Sequence, residues 1–206
     1  MLFSTSSEFH PLFYTHPSHL VPLPLHVFLG LCNRILSQSF TRYFPSQQLT
    51  DTMKQIKTIH TAHGGGRSGY QDLNGKELEK LLNRNILLPM IDQLKEVRVK
   101  ENGNPIIIKH EKIKSNLIKC IEWMKSLQHF LLSSRSFDES EIDSFELLVH
   151  QIISDWVKIT HTSVTPKVHM LLHCVEFMRT HHALGRYNES PLEHCHSVVN
   201  QLLSKK

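Results

Sequence analysis

Cysteine is scarce and scattered in this chain. Cys32, Cys120, Cys174 and Cys195 stand far apart and form no CxxC pair, which argues against a disulfide framework and against a zinc knuckle. Reduced thiols in an intracellular protein are the expectation. Long apolar runs are missing as well. The longest, Leu20 to Cys32, is interrupted by Pro22, Pro24, His26 and Gly30 and falls short of the ~20 residues that cross a bilayer. Residues 1–20 contain no Lys or Arg, so they do not read as a signal peptide, and no membrane partner is expected. A GxxxxGK[ST] phosphate loop, a GxSxG nucleophile elbow and an HExxH zinc motif are all lacking, which removes the commonest sequence signatures of nucleotide, acyl and zinc-peptidase chemistry.

What is present is an ordinary globular composition: 40% hydrophobic and 20% charged residues in a chain of 206. That content builds a buried core rather than a disordered polymer, and the length suits one domain or slightly more. The net charge of +4 with histidine neutral permits a nucleic-acid partner without requiring one. The sixteen histidines add positive charge in mild acid.

Apolar residues recur at helical spacing along most of the chain, and no internal repeat of fixed period interrupts them. Residues 1–22 read as an irregular N-terminal segment and 23–206 as a single, mainly α domain of about seven helices. Pro24 is a good first-turn residue, and Leu25, Phe28, Leu29, Cys32, Ile35 and Leu36 follow it on one stripe. Pro45 ends that helix or begins the next, which carries Leu49, Met53, Ile56 and His60. HGGGRSGY (63–70) must be a loop, since four glycines in eight residues cost a helix too much entropy. Asn74 with Glu77 predicts a capping-type helix start, and Ile86–Leu94 a turn with a short buried helix. The turn sequence Glu101-Asn102-Gly103-Asn104-Pro105 predicts one small β-hairpin near 97–108. A long helix then bears Ile113, Leu117, Cys120, Ile121, Met124, Leu127 and Leu131. Ser136–Ser140 reads as a polar break. The next helix carries Ile142, Phe145, Leu148, Ile152, Trp156 and Val157. Thr165-Pro166 starts a helix with Val168, Leu171, Leu172, Val175 and Met178 as its stripe, and Ser190-Pro191-Leu192-Glu193 forms a capping box for a last one.

Chemistry-bearing residues concentrate between Thr165 and His196, which holds six of the sixteen histidines and two of the four cysteines. His169, His173 and Glu176 fall at i, i+4 and i+7, opposite the leucine stripe. Two imidazoles one turn apart can share a zinc ion, whereas a hydrated polar face explains the same pattern without one. Glu193 and His196 make a single ExxH pair, where di-iron bundles use two. HGGG at His63–Gly66 has the form of an esterase oxyanion-hole loop, but no nucleophile elbow accompanies it. Among the basic residues, Lys109, Lys112 and Lys119 belong to the densest run and are candidate phosphate contacts, with a solvated face as the alternative.

Three segments occur in an order that resembles a known family: PLHVFLG (24–30); His63-Gly64-Gly65 leading to Asn74-Gly75 and Leu81-Leu82; and Lys167-Val168-His169 through Gly185, Glu189, Glu193 and His196. They resemble the C-terminal region of the ribonuclease-H-like (DDE/D-type) transposases of animal DNA transposons. In such enzymes three acids hold two divalent metals, Mg²⁺ or Mn²⁺, that drive in-line displacement at phosphorus. The resemblance implies Glu193 as the third acid, with Glu189 in reserve. It also implies two acids on a β-core before PLHVFLG, yet Glu8 is the sole acid in residues 1–50. The expectation is therefore a transposon-derived, catalytically inactive helical protein, resembling a transposase that lacks most of its β-core. Its residual capacity would be binding of DNA or of protein, and it would sit in the nucleus if it binds DNA. A histidine-based zinc-binding protein is the alternative.

Overall fold

A computed structural model describes residues 22–56, 72–94, 97–101, 104–108 and 110–187, the two strands as backbone. The chain is mainly helical. Helix α1 (Pro24–Ile35) begins with Pro24 in its first turn and runs on through a π-helical turn (Leu36–Phe40) and one further α-turn (Thr41–Tyr43). Phe44 then adopts extended backbone, as a residue before proline prefers. α2 (Ser46–Met53), α3 (Gly75–Asn83) and α4 (Leu87–Asp92) follow. Strands β1 (Val97–Glu101) and β2 (Asn104–Ile108) pair antiparallel, Val97 opposite Ile108 and Glu101 opposite Asn104. Three longer helices complete the described residues: α5 (His110–Leu132), α6 (Glu139–Thr160) and α7 (Pro166–His181), with a 3₁₀ turn at Gly185–Tyr187.

Helix α1 lies at the centre and packs against α3, α5 and α7, while α6 packs on α5 and α7. Buried side chains from Val27 to Leu184 make one cluster. The reason is visible in the sequence of α1, whose Phe28, Leu31, Cys32 and Ile35 are all at most 1% exposed. A helix apolar on most of its circumference has to be surrounded. The π turn adds one residue to the helical register and carries Leu36, Ser39 and Phe40 into the core. All seven apolar residues predicted for α5 are buried.

Several expectations need correction in detail. The break before α6 is not uniformly polar: Phe137 is buried, its ring centroid 5.2 Å from that of Phe130, with the Arg135 guanidinium 4.1 Å above its centroid. The helix starts at Glu139, inside the predicted break, because Asp138 makes a full capping box with Glu141. On α6 the stripe runs through Val149, which is buried, and leaves Val157 53% exposed. The series 142, 145, 149, 152, 156 keeps the three-four alternation of a helix face, and Val157 falls beside it. On α7, Cys174 and Phe177 join the buried face and Leu172 is half-buried. Thr165 occupies the N-cap position of α7 without a side-chain capping bond; its carbonyl accepts from the Val168 and His169 N–H groups at 3.0 and 3.1 Å. The loop 63–70, His60 and the helix expected from Ser190 lie outside the described residues.

Two helices end on a left-handed residue that is not glycine. His161 closes α6 at φ 56° and His182 closes α7 at φ 58°. Histidine enters this region more readily than most residues, and both are tied down: Tyr43 Oη lies 3.1 Å from His161 Nε2, and the His182 carbonyl accepts from Phe137 N–H at 2.8 Å. No described helix is long and apolar enough to cross a membrane.

The start of α6 also makes a pH prediction. Two hydrogen bonds from Arg135, and then the Asp138 N–H, hold the Glu141 carboxyl down at about 2. An acid depressed in the folded state contributes stability that is present above the ordinary carboxylate range and lost as pH falls through the folded value. Glu141→Gln is therefore expected to lower Tm at pH 7, and the difference from wild type should close as pH approaches 2. Thermal melts of both proteins across that range check this; a gap that does not change with pH would point to packing instead.

Candidate functional site

Gly30 is the place where the sequence of α1 departs from what a helix prefers. A mid-helix glycine costs about 1 kcal/mol relative to alanine, so it needs a packing reason. The reason is Lys167, the second residue of α7. A Cβ at position 30 would run into the Cδ, Cε and Nζ atoms of that side chain. The missing side chain of Gly30 is thus the space in which the Lys167 stem crosses α1.

One turn along, Asn33 is buried and its amide meets the Leu73 backbone at both ends. Asn33 Nδ2 donates to the Leu73 carbonyl and the Leu73 N–H donates to Asn33 Oδ1, each at 2.8 Å. The side chain behaves as a one-residue strand partner. It fixes Leu73 just before Asn74, which caps α3: Asn74 Oδ1 accepts from the Glu77 N–H at 3.0 Å and Glu77 Oε2 accepts from the Asn74 N–H at 2.9 Å.

Stretches 29–37, 72–73 and 165–167 consequently line one surface hollow of about 670 Å³. Arg34 and Lys167 bring two positive charges to it, Asp72 one negative, and Ser37 and Thr165 bring hydroxyl groups. Among the described residues, the buried Arg34 Nε has no hydrogen-bond partner. Two cations at the edge of a largely apolar hollow suit a phosphate or a carboxylate. Sequence reasoning missed this site, although the glycine inside an apolar helical stripe was its available signal.

The predicted site residues are distributed elsewhere. Glu189, Glu193 and Lys109 lie outside the described residues. Lys112 is exposed on α5. Lys119, seven residues along the same helix, is half-buried and bonded to Asp155 of α6, Nζ to Oδ2 at 2.7 Å, with the Trp123 ring centroid 5.7 Å away. That lysine holds the Asp155 carboxyl below its usual range, so its charge already serves the α5–α6 contact.

His169, His173 and Glu176 do share the outer face of α7, and all three are exposed. The two imidazoles stand edge to face with centroids 5.3 Å apart, and His173 Nδ1 is 3.0 Å from Glu176 Oε2. Among the described residues no group of three or more His, Cys, Asp or Glu gathers as a metal-holding cluster. Cys32, Cys120 and Cys174 are free thiols in the core. Burial pushes Cys120 and Cys174 up to about 12 and Cys32 well up, so these three are packing groups rather than nucleophiles or ready ligands.

No protein-family model, curated protein or solved structure matches the chain.

The crossing of Gly30 and Lys167 can be tested by substitution. Gly30→Ala adds helix propensity and displaces only the flexible end of a lysine. Its urea midpoint should match or slightly exceed that of wild type; a loss of more than ~2 kcal/mol would show that the site is a rigid backbone contact.

Proposed function

We propose that this chain is a transposon-derived, catalytically inactive helical protein that retains binding through the hollow formed by α1, α7 and the approach to α3. One observation carries the reading. Leu29 and Gly30 of the first segment that resembles ribonuclease-H-like transposases and Lys167 of the third line that single surface, together with Asp72 and Leu73, which directly precede Asn74 of the second.

The resemblance leaves this protein one acid, Glu193, in the position of a catalytic carboxylate. One carboxylate cannot hold two divalent ions at the spacing that in-line displacement needs. Binding, rather than chemistry, is therefore the capacity proposed for these residues. Of the two partner classes, nucleic acid fits better than protein. Arg34 offers a planar, forked donor and Lys167, on the same hollow, a point charge, a combination suited to backbone phosphates, and the overall charge of +4 attracts them. If it binds DNA, its place of action is the nucleus.

The reading predicts duplex binding that weakens steeply between 50 and 200 mM salt, measured by fluorescence anisotropy. Replacing Arg34 and Lys167 together by alanine should weaken binding at least several-fold and flatten the salt dependence by roughly two phosphate contacts. It also predicts no strand cleavage with Mg²⁺ or Mn²⁺. Nicking that disappears in Glu193→Gln would contradict inactivity, and DNA binding indifferent to the paired substitution would remove the hollow from the proposal.

A further inference from the structure

The outer face of α7 carries a second arrangement that the hollow does not use. His169 and His173 are one helical turn apart, so their side chains rise side by side from the same face. Their ring centroids are 5.3 Å apart and their planes 86° apart. Both rings face solvent, with His173 48% exposed. The neighbouring acid settles which nitrogen is free. Glu176 Oε2 sits 3.0 Å from His173 Nδ1. An ionised carboxylate can only accept, so the proton is on Nδ1. In the neutral ring that leaves the lone pair on Nε2. A carboxylate that fixes the tautomer of an imidazole through its far nitrogen is the usual support of a metal-ligating histidine.

We propose that His169 and His173 form a two-imidazole chelate for a divalent transition-metal ion, with Glu176 as the residue that positions His173. The site is open: two protein ligands, the remaining positions filled by water. Imidazole nitrogens select copper, nickel and zinc over magnesium and calcium, and for a given nitrogen site Cu²⁺ binds more tightly than Ni²⁺ or Zn²⁺. The buried face of α7 contributes no ligand, since the Cys174 thiol is turned into the core. A bare surface ion pair between His173 and Glu176 is the rival account. It predicts no coupling between His169 and His173 toward a metal.

The inference is independent of DNA binding, because Arg34 and Lys167 take no part in it. The test is calorimetric titration of the untagged full chain with CuCl₂, NiCl₂, ZnCl₂ and MgCl₂. The chain has fourteen other histidines, so the readout is the difference between variants. Wild type should show one tighter Cu²⁺ site that is lost in His169→Ala and equally in His173→Ala, with unchanged far-UV circular dichroism. Glu176→Gln should retain the site at roughly 10-fold weaker affinity. Mg²⁺ should give no such site. Identical Cu²⁺ isotherms for wild type and the His169→Ala/His173→Ala double variant would overturn the proposal. A Glu176→Gln isotherm equal to that of wild type would remove the positioning role of Glu176.

Discussion

Asn33 places an amide among the buried side chains of α1, and such a group has to find both an acceptor and a donor there. The backbone of Leu73 supplies the pair, with two bonds of 2.8 Å. Burial of the rest of α1 demands that other helices surround it, but burial alone is indifferent to register. The reciprocal bonds are directional. They set where the chain re-enters before α3, and with it the capping box of Asn74 and Glu77. They also leave Arg34, the next residue of α1, at the rim of the hollow that Lys167 crosses. A packing constraint and a candidate binding surface thus share one turn of helix.

The outer helices are held differently. Arg179 of α7 bonds to Asp143 and Glu146 and reaches Glu139, all on α6, and Lys119 joins α5 to Asp155 of α6. Exposed pairs of this kind contribute little, about 0–1 kcal/mol each, so they select the α6–α7 pairing more than they stabilise it. Stability comes from the facing stripes, above all Phe145, Val149, Ile152 and Trp156 against Val168, Leu171, Val175 and Met178, which are buried together. Gly185 allows a comparable close approach at the other end of the chain described: a Cβ there would strike the backbone carbonyls of Leu132 and Ser133.

Local signals in the sequence locate the elements well. Pro24, the Asn74–Glu77 pair and Pro166 each open a helix where the structure has one, and the Asn-Gly turn signal lies between two strands that do pair. Such features act within a turn or two of chain, so a sequence displays them whole. What could not be read depends on partners distant in sequence. Phe137 looks like part of a polar break until the rings of His129 and Phe130 are beside it. Val157 and Val149 are equally apolar, and only the position of neighbouring helices decides which is covered. The role of Gly30 is the shape of Lys167, 137 positions away. Of the residues expected to carry chemistry, the histidine face of α7 was legible because its spacing is local, whereas the hollow was not. Glu189 and Glu193 rest on the resemblance alone.

The central claim, that the Asn33 amide draws the approach to α3 onto α1, is most directly tested by urea unfolding of Asn33→Ala. Truncation leaves the Leu73 N–H and carbonyl buried without those partners, each costing about 1–3 kcal/mol. The account predicts a loss of roughly 2–4 kcal/mol with an unchanged m-value. Unfolding within about 0.5 kcal/mol of wild type, the range of an ordinary surface substitution, would contradict it.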